Sequence, residues 1–491
     1  MSSKSIAGKS LGGGAWLGLA KLWFLVAGYG LNVALTHLIA EGTYGQYQTV
    51  ARAVAIPNMV IIYTVMFAVS RPLSAEFADG VPNYAAIRRN GLRLAAVLGI
   101  AATGTMLLVA PVLAGWRNDD SLTAPLRVVA PISIIYALYA VNIGTLNATR
   151  RFSSQAMLDI TMATLKSGFI ALAAGLALGL TWIVAGFTAA AGSAFLLSLF
   201  LVARARPQTT PTTGAPPMAG FAAALILFTL VLNVLQSSDL LILSSFSTTA
   251  ALKAETGYYS SAQLIAWVPY SLMNAVALVA FPLVASITES GDREQIKRYV
   301  RAAAMTAFTL LAFMSVVAAA AASEVQSLLF PSAYAAAAEH LQLLVFGFSG
   351  YSFANTVAWM CNSAGEKRAA LAIVAVPLLT AIPLAFLLCP GQHAHGAAIA
   401  VVVAGGAASV AGLTALRYVF GVQPPWMHLL KLAAAVGAVF LLGAIVPVPT
   451  AGLIGKIAIV GKLSLLSATF IAVAFGTKAV TIAQLKALRR G

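Results

Sequence analysis

The chain has 491 residues, of which 60% are hydrophobic and only 9% are charged, and its mean hydropathy is +0.90. So large an apolar fraction excludes a soluble globular protein, because too few polar side chains remain to cover a surface in water. The net charge of +16 would suggest nucleic acid for a soluble protein. Here the basic residues lie in short connections between apolar segments, so we expect membrane orientation and no nucleic-acid partner.

Fourteen apolar segments are long enough to cross a bilayer as helices, which takes roughly 20 residues each. In chain order the predicted spans are 14–39, 47–70, 91–114, 125–148, 154–178, 182–203, 219–247, 257–284, 302–323, 338–362, 368–389, 395–419, 426–447 and 454–476. Prolines inside several spans are compatible with helix, because neighbouring helices can satisfy the freed backbone groups. The sequence predicts an all-α, polytopic membrane protein with about 14 transmembrane helices.

The basic residues predict the orientation of these spans. With the N-terminus in the cytoplasm, the inside segments hold 21 of the 30 Lys and Arg residues. The outside loops hold two, Arg117 and Lys253. Because basic residues accumulate in cytoplasmic loops, we predict a bacterial inner-membrane protein with both termini cytoplasmic.

The first twelve spans read as two similar halves. Residues recur at an offset of 212 positions, together with the order of outside loop, helix with internal proline, and basic connection: Gly45, Tyr47 and Pro57 return as Gly257, Tyr259 and Pro269. Six helices separate equivalent points, so the two copies have the same topology and predict a parallel pseudo-twofold along the membrane normal. Such repeats are typical of alternating-access carriers.

This repeat divides the chain into four predicted parts. The Pro- and Thr-rich stretch in the middle indicates a linker, and the last two spans fall outside the repeat. The parts are an N-terminal six-helix lobe (1–203), a cytoplasmic linker (204–218), a C-terminal six-helix lobe (219–420), and the last two helices with a cytoplasmic tail (421–491).

Several segments of the repeat resemble a known family. They are YGQYQTVARAVAIPNMV (44–60), GTLNATRRFSSQ (144–155), GYYSSAQLIAWVPYSLMNAVALVAFPLVASI (257–287) and LLFPSAYAAAAEHLQLL (328–344). These segments are similar to the polysaccharide-transporter branch of the multidrug/oligosaccharidyl-lipid/polysaccharide flippase superfamily, and the resemblance extends over the first 420 residues.

The resemblance implies two six-helix lobes around a hydrated cavity that opens to each side in turn. It implies that the cargo is an undecaprenyl-diphosphate-linked oligosaccharide. Lipid II flippases of the superfamily typically carry an Arg-Asp pair in the first helix, where this chain has Lys21 followed by Leu22. The resemblance therefore favours an O-antigen or exopolysaccharide repeat-unit flippase.

Cations inside the spans are candidates for binding the diphosphate, because each costs roughly 2.5–3.5 kcal/mol at mid-helix and needs a reason to be there. Lys21 lies in the first span and Arg52 near the outer end of the second. The resemblance places both helices at the cavity. The alternative for Lys21 is that its long side chain reaches the membrane interface.

Polar residues in the seventh span are the second group of candidates. Asn233 and Gln236 share a helix face, and Asp239 lies to one side of it. They could bind sugar and couple transport to Na⁺ or H⁺. The alternative is hydrogen bonding between helices, worth about 0.6 kcal/mol per contact in membranes.

Aromatic residues and prolines complete the predicted site. Trp267 and Tyr270 flank Pro269 in the eighth span, where they could stack on sugar rings or serve packing alone. Pro57 and Pro269 occupy equivalent positions of the repeat and are candidate hinges or gates.

The sequence therefore predicts a transporter rather than an enzyme. It contains no nucleotide-binding loop, no nucleophile elbow and no metal-ligand spacing, so we expect no catalytic residue, metal or cofactor beyond Na⁺ or H⁺ coupling. We expect a flippase for lipid-linked oligosaccharide, in contact with membrane lipids and with a polysaccharide polymerase and glycosyltransferases as candidate partners. The alternatives are a lipid II flippase and a cation-coupled multidrug exporter of the same superfamily.

Overall fold

A computed structural model describes residues 3–78, 83–116, 119–149, 151–204, 218–290, 292–450 and 452–480. Some helical positions are described by their backbone alone, among them 3–15, 21 and 274–283. The described residues form helices joined by short connections and include no β-strand. The predicted linker at 204–218 lies almost entirely outside the described residues.

In the described residues, seven α-helices precede the linker. They are α1 (Ser3–Leu38), α2 (Glu41–Ala78), α3 (Tyr84–Trp116), α4 (Thr123–Val129), α5 (Ile132–Ala148), α6 (Phe152–Gly175) and α7 (Leu180–Ala203). The short helix α4 and helix α5 together form the predicted fourth span. They are separated at Pro131, which has no N–H group to continue the helical ladder.

Eight α-helices follow the linker in the part of the chain that the structure describes. They are α8 (Ala219–Ser245), α9 (Ala250–Ser290), α10 (Arg293–Ala320), α11 (Ala322–Leu329), α12 (Ala337–Ser363), α13 (Lys367–Phe420), α14 (Trp426–Ile445) and α15 (Gly452–Gly476). Helix α10 begins with the Asp292 carboxylate, which accepts a hydrogen bond from the Gln295 backbone N–H at 2.9 Å. Helix α13 contains the eleventh and twelfth predicted spans, which meet at a kink where His393 has φ 44°.

The predicted fold class is confirmed: the chain is an all-helical, multi-pass membrane protein. Among the described residues, ten segments are long and apolar enough to cross a membrane. Several helices run beyond the predicted spans, because polar residues at a helix end keep their helical hydrogen bonds outside the apolar window. Helix α2, for example, begins at Glu41 and ends at Ala78.

The chain forms two compact units. The first comprises residues 1–237 and 247–254, and the second comprises residues 238–246 and 255–491. The boundary therefore crosses α8 after Ser237 and crosses α9 after Ala254. The pseudo-twofold between the two halves stays a prediction.

The first unit has an apolar core between α2, α3 and α5. Val65 and Val69 of α2, Ile87 of α3, and Ala140 and Val141 of α5 are fully buried in it. Small residues bring these helices close together, as in membrane proteins generally. A Cβ atom at Gly144 would lie 2.7 Å from the Met66 carbonyl oxygen, so this position of α5 requires glycine.

The second unit contains the two helices that lie outside the sequence repeat. Leu432 and Val439 of α14 and Leu466 and Phe470 of α15 pack against Val316 of α10 in one buried cluster. The last two helices therefore belong to the second unit. Whether they stay away from the predicted central cavity remains a prediction.

Candidate functional site

A polar network joins α1 and α2 in the first unit. The Gln48 amide donates to the Asn32 side-chain oxygen at 2.5 Å and to the Tyr44 hydroxyl at 2.7 Å. Tyr44 is fully buried, while Asn32 and Gln48 are half-buried. Because these groups offer both donors and acceptors, the network can bind hydroxyl-rich ligands as well as stabilise the helix pair.

The predicted residue Arg52 lies on the same face of α2 as this network. Tyr44, Gln48 and Arg52 are spaced four residues apart, so their side chains follow one another along the helix. Arg52 is half-buried. The structure thus brings the predicted cation next to three polar residues that the sequence analysis did not select. Lys21 lies on α1, but its side chain is outside the described part of the chain.

The predicted acid Asp239 is the centre of a buried polar cluster in the second unit. One of its carboxylate oxygens accepts hydrogen bonds from the Tyr259 hydroxyl and from the Gln263 amide, both at 2.7 Å. Asp239, Tyr259 and Gln263 are each at most 3% exposed. A carboxylate removed from water in this way is retained only where hydrogen bonds stabilise it.

Two further titratable side chains lie around this acid. The His340 ring of α12 is 6.1 Å from the Tyr259 ring, centroid to centroid. The buried Tyr351 of α12 is close enough to experience the Asp239 charge. The tyrosine that donates to Asp239 thus has a histidine ring beside it, which gives several protonatable groups in one buried region.

This cluster contains a single carboxylate. No group of three or more His, Cys, Asp or Glu side chains that could hold a metal ion occurs in the described ranges. One acid with hydroxyl and amide neighbours has the chemistry to carry a proton or a monovalent cation, since the charge to be balanced is one.

The predicted residues of the seventh span lie on both sides of the boundary between the two units, which crosses α8. Asn233 and Gln236 belong to the first unit and are half-buried, whereas Asp239 belongs to the second. The Asn233 amide donates to the Thr229 backbone carbonyl at 2.8 Å, one turn earlier in α8. At Asn233, the amide N–H group is thus satisfied within its own helix, which leaves the amide oxygen for a ligand or a neighbour.

The predicted aromatic pair lies inside the second unit. The Trp267 and Tyr270 rings are 4.8 Å apart, and Trp267 also contacts Phe348 of α12 with 5.2 Å between ring centroids. Tyr270 is 5% exposed and Pro269 is buried, while Trp267 is half-buried. Both rings are thus packed against neighbours, Trp267 keeps an accessible part, and the choice between sugar stacking and packing stays a prediction for both. Pro57 is half-buried within α2.

An ion pair forms in the first unit between the loop after α3 and the beginning of α9. The Lys253 ammonium lies 2.7 Å from the Asp119 carboxylate, which also accepts hydrogen bonds from Gln46 at 2.6 Å and Ser121 at 2.5 Å. Burial alone would raise the pKa of Asp119, but the hydrogen bonds from Lys253, Ser121 and Gln46 hold it below the ordinary value. The pair attaches the beginning of α9 to the loop after α3.

A second ion pair is buried in the second unit. The Lys462 ammonium of α15 donates to the Glu324 carboxylate of α11. Burial alone would raise the pKa of Glu324, but hydrogen bonds from Lys462 and Ser323, together with the lysine charge, lower it. This pair joins the last helix to the region between α10 and α12.

A family model described as "Polysaccharide biosynthesis protein" matches residues 92–339, which is half of the chain. The chain belongs to this family. The match confirms the resemblance to polysaccharide transporters. No curated protein sequence matches the chain at a significant level.

Solved structures of membrane transporters share the fold of this polysaccharide biosynthesis protein. A lipid II flippase MurJ in an inward closed conformation matches with a TM-score of 0.72 and 14% identity, over 94% of this chain and 98% of that one. An inward-facing multidrug resistance MATE family transporter matches with a TM-score of 0.64 and 16% identity, over 81% and 94% of the two chains. A MOP superfamily transporter from Pyrococcus furiosus matches with a TM-score of 0.61 and 16% identity, over 83% and 95%.

Proposed function

We propose that the chain is a flippase that moves an undecaprenyl-diphosphate-linked oligosaccharide from the cytoplasmic to the periplasmic leaflet by alternating access. Membership of a polysaccharide biosynthesis family and a fold shared with a lipid II flippase support this class of cargo. The bacterial inner membrane is its location, with both termini in the cytoplasm. Glycosyltransferases that assemble the repeat unit and a polymerase that consumes it are the proposed partners.

The observation that carries the proposal is Arg52 with its polar neighbours in the first unit. A diphosphate has at least two negative charges, and a planar guanidinium can bind two phosphate oxygens at once. Asn32 and Gln48 offer amide groups close to Arg52 along the same helix pair, where sugar hydroxyls could bind. Lys21 is the second proposed cation.

We propose that the buried acid Asp239 couples transport to Na⁺ or H⁺. Its carboxylate accepts hydrogen bonds from Tyr259 and Gln263 and is buried in the second unit. Binding of one cation would neutralise that charge and change the stability of the surrounding helices, which is the requirement for coupling. Asn233, Gln236, Trp267 and Tyr270 remain proposed sugar contacts, and Pro57 and Pro269 proposed hinges.

Two alternatives belong to the same fold. A lipid II flippase would differ in the glycan but would need the same cations. A cation-coupled multidrug exporter would carry cationic drugs and would gain nothing from Arg52, because a positive residue repels a positive substrate. The effect of removing Arg52 therefore separates a carrier of anionic lipids from a drug exporter.

The test is the surface polysaccharide of a strain in which only the variant protein is present. We expect Arg52→Ala to lower the amount of polysaccharide by about 10- to 100-fold, as loss of a hydrogen bond to a charged group costs about 1.5–3 kcal/mol. Arg52→Lys should restore it in part, because lysine keeps the charge without the bidentate geometry.

Arg127 provides the matched control. It is an exposed arginine of α4, also near the outer end of a span, so Arg127→Ala removes the same group at a similar depth. We expect normal polysaccharide with this variant. Normal polysaccharide with Arg52→Ala at normal protein level would instead reduce Arg52 to an anchor at the membrane interface.

A further inference from the structure

A cationic pocket lies in the second unit where α10, α14 and the end of α15 meet. Its volume is about 380 Å³, and its lining includes Arg301, Lys431 and Lys478. No acidic residue contributes to the lining. In the described part of the chain, no ion pair joins any of the three cations to a carboxylate. Three basic residues thus line one concave site, and no acidic residue is among the described residues of its lining.

The backbone at this pocket also favours an anion. The pocket includes Trp426, Met427 and His428, the first turn of the 20-residue helix α14, where the helix dipole is positive. The His428 ring holds this turn against α10 through contacts of its Nε2 atom with the Thr309 hydroxyl at 3.0 Å and the Met305 carbonyl at 3.2 Å. The first turn of α14, which lines the pocket, is therefore held in place against α10.

Lys478 occupies an unusual backbone position. Its φ is 56°, in the left-handed region that glycine normally fills after the end of a helix. The Ala479 N–H bonds to the Ala474 carbonyl at 2.8 Å and the Lys478 N–H to the Phe475 carbonyl at 3.0 Å, which completes the helix end. A lysine is less favourable than glycine in this conformation, and here its side chain adds a positive charge to the pocket lining.

Apolar side chains continue from the pocket along the outside of α14. Trp426 and Met427 at its edge are each 66% exposed, and Leu430 on the next turn is 67% exposed. The positive-inside pattern places Arg301 and Lys478 on the cytoplasmic side, where an exposed indole typically lies at headgroup level. A soluble anion would leave this apolar track unused, whereas an acyl chain would cover it.

We propose that this pocket binds the headgroup of an anionic glycerophospholipid of the cytoplasmic leaflet. The phosphate would lie among Arg301, Lys431 and Lys478, and an acyl chain would follow Met427 and Leu430 along α14. Basic pockets between membrane helices on this side are suited to such headgroups, and the surrounding leaflet supplies them continuously. The site is separate from the proposed transport residues and does not depend on the identity of the cargo.

The experiment measures lipid retained by the purified full-length chain in native mass spectrometry, with phosphatidylglycerol and phosphatidylcholine as probes. Each cation should contribute about fivefold to the affinity, so Arg301→Gln/Lys431→Gln/Lys478→Gln should lower phosphatidylglycerol retention on the order of 100-fold. The matched control is Arg293→Gln/Lys297→Gln/Lys367→Gln, which removes one arginine and two lysines that are exposed and do not line the pocket. The control should retain phosphatidylglycerol, and neither protein should prefer phosphatidylcholine.

Other sources of the same phosphate chemistry are tested in competition. Displacement of phosphatidylglycerol by millimolar inorganic phosphate would show a simple anion site and overturn the proposal. Tighter retention of undecaprenyl diphosphate than of phosphatidylglycerol, with the same dependence on the three cations, would assign the pocket to the cargo and also overturn it. Equal phosphatidylglycerol retention by the triple variant and its control would do so as well. Thermal unfolding and circular dichroism of both variants show whether they fold, and single substitutions replace the triple variant if it does not.

Discussion

The second helix of each repeat has the same pattern of loop and proline but opposite chemistry. At the 212-residue offset, the buried tyrosines Tyr47 and Tyr259 correspond to each other. One turn further along the sequence, Arg52 of the first copy corresponds to Leu264 of the second. Gln263, which donates to the acid in the second copy, corresponds to Ala51 of the first. The first copy thus places a cation among neutral amides, while the second surrounds a carboxylate with donors. We infer that the two copies have different roles: the first binds the anionic cargo, and the second binds a coupling cation.

The largest expected effect comes from a variant that removes the charge of Asp239 and keeps the size of its side chain. Asp239→Asn retains an oxygen that can accept from Tyr259 and Gln263 but has no charge to balance. In proteoliposomes, we expect the variant to lose its acceleration by a Na⁺ or H⁺ gradient, an effect of up to about 50-fold because 100 mV corresponds to about 2.3 kcal/mol per charge. The measurement is the flipping rate with and without an imposed gradient.

Asp120→Asn is the control for that experiment, because it removes the charge of a carboxylate that is exposed and lies outside the predicted spans. It should keep the dependence on the gradient. If Asp239→Asn responds to the gradient as the wild-type protein does, the second copy does not couple transport.

A pair of matched substitutions compares the two networks in the ground state. Tyr259→Phe removes a hydroxyl that donates to a carboxylate, and Tyr44→Phe removes one that interacts with amides; both tyrosines are fully buried. We expect free-energy losses of about 1.5–3 kcal/mol for Tyr259→Phe and about 0.5–1.5 kcal/mol for Tyr44→Phe, measured by denaturant unfolding in detergent. Equal losses would mean that Asp239 carries no charge in the resting protein. Tyr259 would then donate to a protonated, neutral acid, and its hydrogen bond would be no stronger than that of Tyr44.

Asp119 is a reference carboxylate outside the spans, with which the buried Asp239 can be compared. Its pKa is lowered below the ordinary 3.8 in the folded protein, so its ionised form stabilises the fold above about pH 4. That contribution disappears as the pH falls through the lowered pKa. We expect Asp119→Asn to cost about 1–3 kcal/mol at pH 7, with the difference from wild type closing below pH 4.

The neighbouring Asp120 is exposed, and Asp120→Asn should change stability little at any pH. Thermal unfolding of the three proteins between pH 3 and pH 7 provides the measurement. A difference between wild type and Asp119→Asn that is constant over this range would exclude the ion pair with Lys253 as its cause.

Hydropathy predicted the fold well because lipid imposes a length and a composition on every span. It could not predict that α4 and α5 break at Pro131 or that α13 continues through His393, since both segments are apolar on either side of the junction. Ionisable residues in spans led to Arg52 and Asp239. The neutral residues beside them, Gln48 and Gln263, give no such signal in sequence.

The buried pair of Lys462 and Glu324 shows a second kind of contact that the sequence alone could not predict. Lys462 is an ionisable residue within a span, so the same rule selects it when applied to every helix. Its partner is 138 positions away in the short helix α11, outside every predicted span. Such a contact depends on tertiary packing, which periodicity and charge patterns do not contain.

This pair also constrains how the chain is made. A lysine ten residues into α15 adds roughly 2.5–3.5 kcal/mol to the free energy of inserting that helix. Glu324 precedes it in synthesis, and the pair places the carboxylate where the ammonium will be buried. Insertion of α15 therefore becomes favourable once the part of the second unit that supplies Glu324 is already assembled. A chain cut short before α15 would expose an unmatched acid, which membrane quality control could recognise.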